Sequence, residues 1–398
     1  MRPFDWEAKY CGRVGQMYGS MTRQLMHLIA DPEVISFGGG MPAWDLFPIE
    51  TVKDVVNHVL DGEGPATLQY GASEGYEPLR LAVAERYARK GFEIDKDNLL
   101  ITSGSQQGID LVSKLFLEDG SIVLVEDPTF LTALQAFSLF QATYLTVPID
   151  EEGMRVDMLA EMLANNDVKF IYTMPNFQNP SGVTLSLERR RELLDVARRY
   201  GVPIVEDDAY GELRYGGEAV PDLKQLDQAE QVIYLASFSK VLSPGLRVSA
   251  LIAPEPVIEK LVFAKQAADL HTDNLAQRIA HGFLERNLLD PHIRTIIATY
   301  RQRRDAMLEA METYFPDVAS WTRPDGGIFI WVTLPEKVDT MDLFQQAVEA
   351  RVAYVPGSCY YANGGGENKM RLNFSACDEQ TIQVGIERLA KVIIDSRA

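Results

Sequence analysis

The stretch Leu235-Ala-Ser-Phe-Ser-Lys-Val-Leu-Ser-Pro-Gly-Leu-Arg247 sets one lysine among hydroxyls, a turn and an arginine, directly after an apolar run. A desolvated ammonium is costly and its pKa falls. A lysine that sheds its proton near neutrality is a nucleophile able to form a Schiff base with a carbonyl. Lys240 is the candidate for that chemistry. Ser237 and Ser239 offer hydroxyls to phosphate oxygens, and Arg247, beyond the Pro244-Gly245 turn, can return to the same phosphate with a planar fork. The competing reading is an ordinary lysine at a surface strand end.

Other segments carry compatible chemistry. Ile101-Thr-Ser-Gly-Ser-Gln-Gln-Gly108 falls between a strand and an amphipathic helix, so Ser105, Gln106 and free backbone N–H groups stand at a helix N-terminus, where phosphate is favoured. A plain N-cap serine is the alternative there. Asp127-Pro-Thr-Phe130 follows another strand, and Phe130 offers a flat ring for stacking or for the core. Val205-Glu-Asp-Asp-Ala-Tyr210 places acids at a strand end, where open α/β sheets bind ligands. Arg371, inside an apolar strand, is either a bidentate carboxylate clamp or half of a buried salt bridge. The loop Ile35-Ser-Phe-Gly-Gly-Gly-Met-Pro42 lacks the G-x-G-x-x-G spacing and setting of a dinucleotide site.

Taken in order, these segments resemble fold-type I pyridoxal phosphate enzymes, in particular class I and II aminotransferases, over about residues 36 to 375. The resemblance implies that Lys240 carries pyridoxal 5'-phosphate and that Ser105, Gln106, Ser237, Ser239 and Arg247 surround its phosphate. Phe130 would stack on the pyridine, retaining the face of the tyrosine common in relatives but losing its hydroxyl. Asp207 would pair with the pyridine nitrogen, and Tyr210 and Asn179 would bond the 3-oxygen. Asp208 is the competing register for that acid; the Asp-x-x-Tyr spacing favours Asp207, and Ala209 replaces the family's usual proline. Arg371 and Asn179 would hold the substrate carboxylate, with the backbone near Gly40 close by. Tyr70, in Leu68-Gln-Tyr-Gly-Ala-Ser-Glu-Gly-Tyr76, would cross to the neighbouring subunit's cofactor phosphate in a homodimer with shared active sites, against the plain reading of a loop aromatic.

Gly19-Ser-Met-Thr-Arg23 and the Leu-Asn-Phe-Ser ending resemble the 2-aminoadipate and kynurenine aminotransferase group, with Ser20 and Arg23 at its side-chain recognition positions. A solvated arginine on an amphipathic helix is the alternative for Arg23. The implied reaction moves an amino group from an aminoadipate, aromatic or branched-chain L-amino acid to a 2-oxo acid, 2-oxoglutarate by family analogy, in a ping-pong sequence. A lyase or decarboxylase using the same cofactor cage is the second enzyme reading. A non-catalytic regulator with this fold is disfavoured by the acidic chain and by the lack of an upstream winged helix.

Elements must position these groups. Short apolar runs at Leu99 to Thr102, Ile122 to Glu126, Thr143 to Val147, Val168 to Met174, Val202 to Glu206, Val232 to Ala236 and Val248 to Ala253 alternate with helical stretches. That pattern implies an α/β fold, a mostly parallel sheet flanked by helices. Long helices are expected over Glu255 to Asn287 and His292 to Tyr314, and an amphipathic helix over Gly19 to Ala30 after an extended arm. Strands at Gly327 to Thr333, Val352 to Val355 and Met370 to Phe374 suggest a smaller α+β domain. The expected division is an arm and helix at 1–50, a large cofactor domain at 51–290 and a C-terminal domain at 291–398, with the first part joining the last.

With 38 basic and 57 acidic residues among 398, the net charge of −19 argues against nucleic acid as a partner. An anionic ligand therefore needs local positive groups. Three cysteines without metal-like spacing and five scattered histidines argue against a disulfide framework or a metal site. Neither a signal core nor a membrane-spanning run is seen, so the cytoplasm is the expected compartment. Borohydride reduction followed by peptide mapping is expected to place a pyridoxyl group on Lys240; a reduced adduct on another lysine would refute that assignment.

Overall fold

The computed structural model describes residues 4–16 and 33–396. Two short 3₁₀ turns, Glu7–Lys9 and Gly12–Gln16, occupy the first of these segments, where an extended arm was expected. The expected helix over residues 19–30, with Ser20 and Arg23, lies outside the described residues.

Strand β1 (Ile35–Ser36) leads into the glycine-rich loop. Then come β2 (Leu99–Thr102), β3 (Ile122–Asp127), β4 (Thr143–Asp150), β5 (Gly153–Met154), β6 (Val168–Thr173), β7 (Ile204–Asp208), β8 (Val232–Ser237) and β9 (Ser249–Ile252). Among the described residues they form one sheet in the order β2-β9-β8-β7-β6-β3-β4-β5. Pairs β4–β3, β3–β6, β6–β7 and β7–β8 are parallel, whereas β9 runs antiparallel to both β8 and β2. The sheet is therefore mixed and mostly parallel.

Its strands read as continuous apolar runs because both faces are covered. Val123 and Val125 of β3 enter one buried apolar cluster, while Leu124 between them enters a second on the opposite face. Helices Leu159–Asn165 and Leu187–Tyr200 supply the second cluster. Burying each such side chain is worth about 1.5–3 kcal/mol, so the central strands are firm anchors for whatever follows their ends.

The C-terminal part contains β10 (Ser320–Trp321), β11 (Phe329–Thr333), β12 (Val352–Ala353), β13 (Val355–Pro356) and β14 (Lys369–Asn373). Strands β10, β11, β14 and β13 form an antiparallel sheet. The single strand expected over Val352 to Val355 is split: β12 pairs in parallel with β1, and β13 pairs with β14. This pairing joins the N-terminal chain to the C-terminal part. The first apolar cluster continues from the large sheet into this region.

The long helix expected over Glu255 to Asn287 is two helices, Glu255–Ala268 and Asn274–Glu285. Leu270 takes a left-handed backbone at φ 68°, and the Asp273 carboxylate accepts from Ala276 N at 2.7 Å to restart the helix. The following helix spans Leu289–Tyr314, starting slightly before the expected His292. Among the described residues, no helix is long and apolar enough to cross a membrane.

Candidate active site

Parallel strands bring their C-terminal ends to one edge, and the candidate residues lie there. The ends of β3, β6, β7 and β8 lead to Phe130, Asn179, Asp207 with Tyr210, and Ser237 with Lys240. Together with Ser105, Gln106, Arg247, Arg371 and the Gly38–Gly40 loop they line one cavity of about 340 Å³. A larger cleft of about 660 Å³ runs between Asp150 and Trp321, but neither the lysine nor the Asp207 carboxylate lines it. Chemistry, more than volume, distinguishes the two.

The antiparallel pair β8–β9 explains the lysine segment. Ser237 faces Ser249 across the ladder, so the intervening loop turns back at the cavity and delivers Lys240 and Arg247 to it. Ser239 N donates to Ser237 Oγ at 3.2 Å, fixing the turn. Lys240 Nζ donates to the Gly40 carbonyl at 2.5 Å. Burial, followed by the charges of Arg371 and Arg247, lowers its pKa to about 8, into the range of a useful nucleophile and base.

Strand alternation separates the two neighbouring aspartates. Asp208 is satisfied away from the cavity: Oδ1 accepts from Asn176 and Gly211 N, and Oδ2 accepts from Tyr234 at 2.6 Å. Asp207 lines the cavity, with Oδ2 accepting from the Tyr172 hydroxyl at 2.8 Å and Oδ1 buried without a partner among the described residues. Burial raises its pKa to about 7, opposed by the Tyr172 hydrogen bond and assisted by Asp208 and Glu126. A carboxylate so held awaits a cationic or N–H partner.

Arg371 is buried on β14, with Nη1 donating to Asn179 Oδ1 at 2.9 Å and Nη2 to the Gly38 carbonyl at 2.7 Å. Its guanidinium lies 4.0 Å from the Phe329 ring centroid, and Nε has no partner among the described residues. Among the described residues the buried-salt-bridge alternative finds no support: both observed acceptors are neutral. Tyr210 is buried in the same cavity as Asn179, and burial raises its pKa.

At the other end of the cavity, the helix Ser105–Phe116 begins with Gly104 as its cap, so Ser105 is the first helical residue rather than the N-cap serine. Gly104 has φ 83°, and a Cβ there would lie 2.2 Å from an Arg247 guanidinium nitrogen. Glycine is thus required both for the turn and for the arginine's approach. Ser105 Oγ lies 3.3 Å from Ser249 Oγ. Phe130 caps the helix Leu131–Ser138 and lines the cavity, while Gln106 Nε2 donates to the Thr132 carbonyl.

Tyr70 is 77% exposed and does not line this cavity; its ring meets His271 edge-on. Tyr172 and Tyr360 were not singled out from the sequence. Tyr172 pairs in register with Val205, which puts it on the face of the sheet that carries Asp207. Tyr360 lines the cavity, its ring 5.1 Å from the Arg371 guanidinium. No local signal marks either residue, since their positions depend on strand register and on packing of the C-terminal sheet. Among the described residues, no group of three or more His, Cys, Asp or Glu side chains could hold a metal ion.

The Asp207 carboxyl has a folded pKa of about 7 against an ordinary 3.8, a gap of about three pH units at about 1.4 kcal/mol each. Because the folded value is raised, the associated stability is present below pH 4 and lost as pH rises to about 7. Asp207→Asn removes this penalty. In protein stripped of small ligands it should raise stability at pH 8 more than at pH 5, by on the order of 3 kcal/mol in denaturant titrations. An equal effect at both pH values would contradict a strained carboxylate.

The residues fit pyridoxal phosphate: an amine of lowered pKa, an unpartnered buried carboxylate oxygen and, at the far end, a helix start beside hydroxyls and an arginine. Residues 32–389 match the family model described as aminotransferase class I and II. The chain is 44% identical to aromatic-amino-acid aminotransferase 1 of Thermococcus litoralis, over 98% of this chain and 95% of that protein. It is similar to the crystal structure of LysN, an alpha-aminoadipate aminotransferase from Thermus thermophilus complexed with N-(5'-phosphopyridoxyl)-L-leucine. There the TM-score is 0.93 at 40% identity, covering 98% of this chain and 99% of that one. It is also similar to Pyrococcus horikoshii kynurenine aminotransferase, with a TM-score of 0.95 at 42% identity and 99% coverage of both chains. An amine, an acid and an anion cradle at one sheet edge, on a chain matched almost end to end, make this protein a member of the class I and II aminotransferases, a pyridoxal phosphate-dependent transaminase.

Proposed function

We propose that this transaminase takes amino groups from L-amino acids of aminoadipate, aromatic or branched-chain type and passes them to 2-oxoglutarate in two half-reactions at the cavity described above. The observation that carries the reading is Arg371: a buried guanidinium, paired among the described residues with neutral oxygens and stacked on Phe329, in the same cavity as Lys240 and Asp207. A carboxylate is the ligand that satisfies it. Support for the donor classes comes from the relatives named for aromatic amino acids, aminoadipate and kynurenine, and from the leucine adduct held by one of them.

When bound, the cofactor supplies an electron sink for charge that develops at the substrate Cα. Asp207, through its unpartnered Oδ1, would hold a proton on the pyridine nitrogen. Lys240, its pKa near 8, would first hold the cofactor and then take and return the proton at Cα. Arg371 and Asn179 would anchor the α-carboxylate, fixing the Cα–H bond relative to the ring. Phe130 would cover one face of the pyridine, and Tyr210 and Asn179 would bond its 3-oxygen. Ser105, Gln106, Ser237, Ser239 and Arg247 would take the phosphate. The substrate approaches past Gly40, whose carbonyl meets Lys240.

The proposal includes a homodimer: Tyr70, exposed and outside its own chain's cavity, would reach the phosphate of a second copy. The boundaries near residues 50 and 290, and the cytoplasm as compartment, belong to the same proposal. Rapid mixing of the loaded enzyme with single amino acids tests the reaction class. Each donor should convert the cofactor stoichiometrically to its amine form, and turnover should then require a 2-oxo acid. Continued product release without one would identify a lyase. Arg23→Ala should lower kcat/KM for acidic donors roughly ten- to a hundredfold, the scale of one charge-assisted hydrogen bond, while apolar donors change much less. Equal losses would make Arg23 structural.

A further inference from the structure

Lys265 is a fully buried lysine that the chemistry above does not use. It sits in the last turn of the helix Glu255–Ala268, which packs against the helix Ser105–Phe116. An ammonium without solvent access must be met by acceptors, and the acceptors here are specific. Nζ donates to Asp269 Oδ1 at 2.8 Å and Oδ2 at 2.9 Å, and to Gln107 Oε1 at 2.8 Å.

Both partners continue into the turn before Ser105. Gln107 Oε1 also accepts from Ser103 N at 2.8 Å, and Gln107 Nε2 donates to Asp269 Oδ2 at 2.6 Å. Ser103 Oγ lies 3.0 Å from Asp269 Oδ2 and 3.3 Å from Thr272 Oγ1. The Ser103 carbonyl accepts from Nη2 of the cavity-lining Arg247 at 3.5 Å. An ion pair between the buried Lys265 and the part-exposed Asp269 thus grips the residue before Gly104 and one in the first turn of the helix. The Ser105 and Gln106 amides lie between those two grips.

We propose that Lys265 is a positioning residue for the phosphate end of the cofactor site: through Asp269 and Gln107 it locks the Ser103–Gln107 turn in the shape that aims the helix N-terminus at the phosphate. The pair also leaves the turn electrically neutral, so the Asp269 carboxylate does not repel an anion bound there. This inference rests on the reading that Ser105, Gln106 and Arg247 form the phosphate cradle.

The test uses full-length protein, purified loaded, resolved and refilled with either pyridoxal 5'-phosphate or pyridoxal, which lacks the phosphate. Binding is followed by cofactor absorbance. Lys265→Met should weaken pyridoxal phosphate roughly ten- to a hundredfold and pyridoxal by less than about threefold, so the preference for the phosphorylated form collapses. Asp269→Ala, at a part-exposed site more tolerant of change, should do the same. Equal weakening of both ligands would reduce Lys265 to general scaffolding and overturn the proposal. So would a gain in pyridoxal phosphate affinity with Asp269→Ala, which would mean that local charge matters and turn shape does not. Arg247→Ala separates the premise from the inference. If it leaves the preference intact, the cradle itself is misplaced; if it abolishes the preference while both other variants keep it, the cradle stands and Lys265 has no part in it.

Discussion

One oxygen of Asp207 is buried with no partner among the described residues, and much of the surrounding structure can be understood from that constraint. Asp207 stands near the end of β7, between strands β6 and β8 whose side chains are mostly apolar and buried. Its second oxygen is held by Tyr172, which fixes the direction of the free one. The resulting rise in pKa is an expense carried by the unliganded protein and relieved by a cation brought to that oxygen. A protonated pyridine nitrogen is such a cation.

The same edge of the sheet solves a positioning problem. A cofactor with a cationic ring nitrogen, an aldehyde and a phosphate needs three chemically different partners some distance apart. Parallel neighbours β6, β7 and β8 deliver an amide, an acid and an amine from separate strand ends. The antiparallel strand β9 brings the chain back at once, so Arg247 returns to the hydroxyls that preceded Lys240. The C-terminal sheet then closes the site with Arg371, whose guanidinium is kept free of carboxylates by neutral acceptors and by Phe329. Cationic Lys240 and Arg371 repel each other, which helps keep the amine near neutrality.

What could be read from the sequence was what is local. Ser237, Ser239, Lys240 and Arg247 lie within one short hairpin connection, and Ser105 and Gln106 open one helix, so their types and spacing were sufficient to bring them forward. The apolar runs were legible for the same reason, because strands buried on both faces leave no alternation to misread. Tyr172 and Lys265 act through strand register and helix packing, which no short window records. The break after Ala268 was hidden because Leu270, not glycine, takes the left-handed conformation that ends the helix. In the sequence Asp207 is separated from Asp208 by the Asp-x-x-Tyr spacing alone; in the fold the choice follows from which face of β7 each side chain leaves.

The central claim is that the free Asp207 oxygen keeps a proton on the cofactor ring. Nitrogen NMR of the full-length enzyme loaded with cofactor labelled at the pyridine nitrogen tests it directly. The account predicts a pyridinium signal that persists at pH 8 and is lost in Asp207→Ala. A neutral-pyridine signal in the wild-type enzyme at that pH would contradict it.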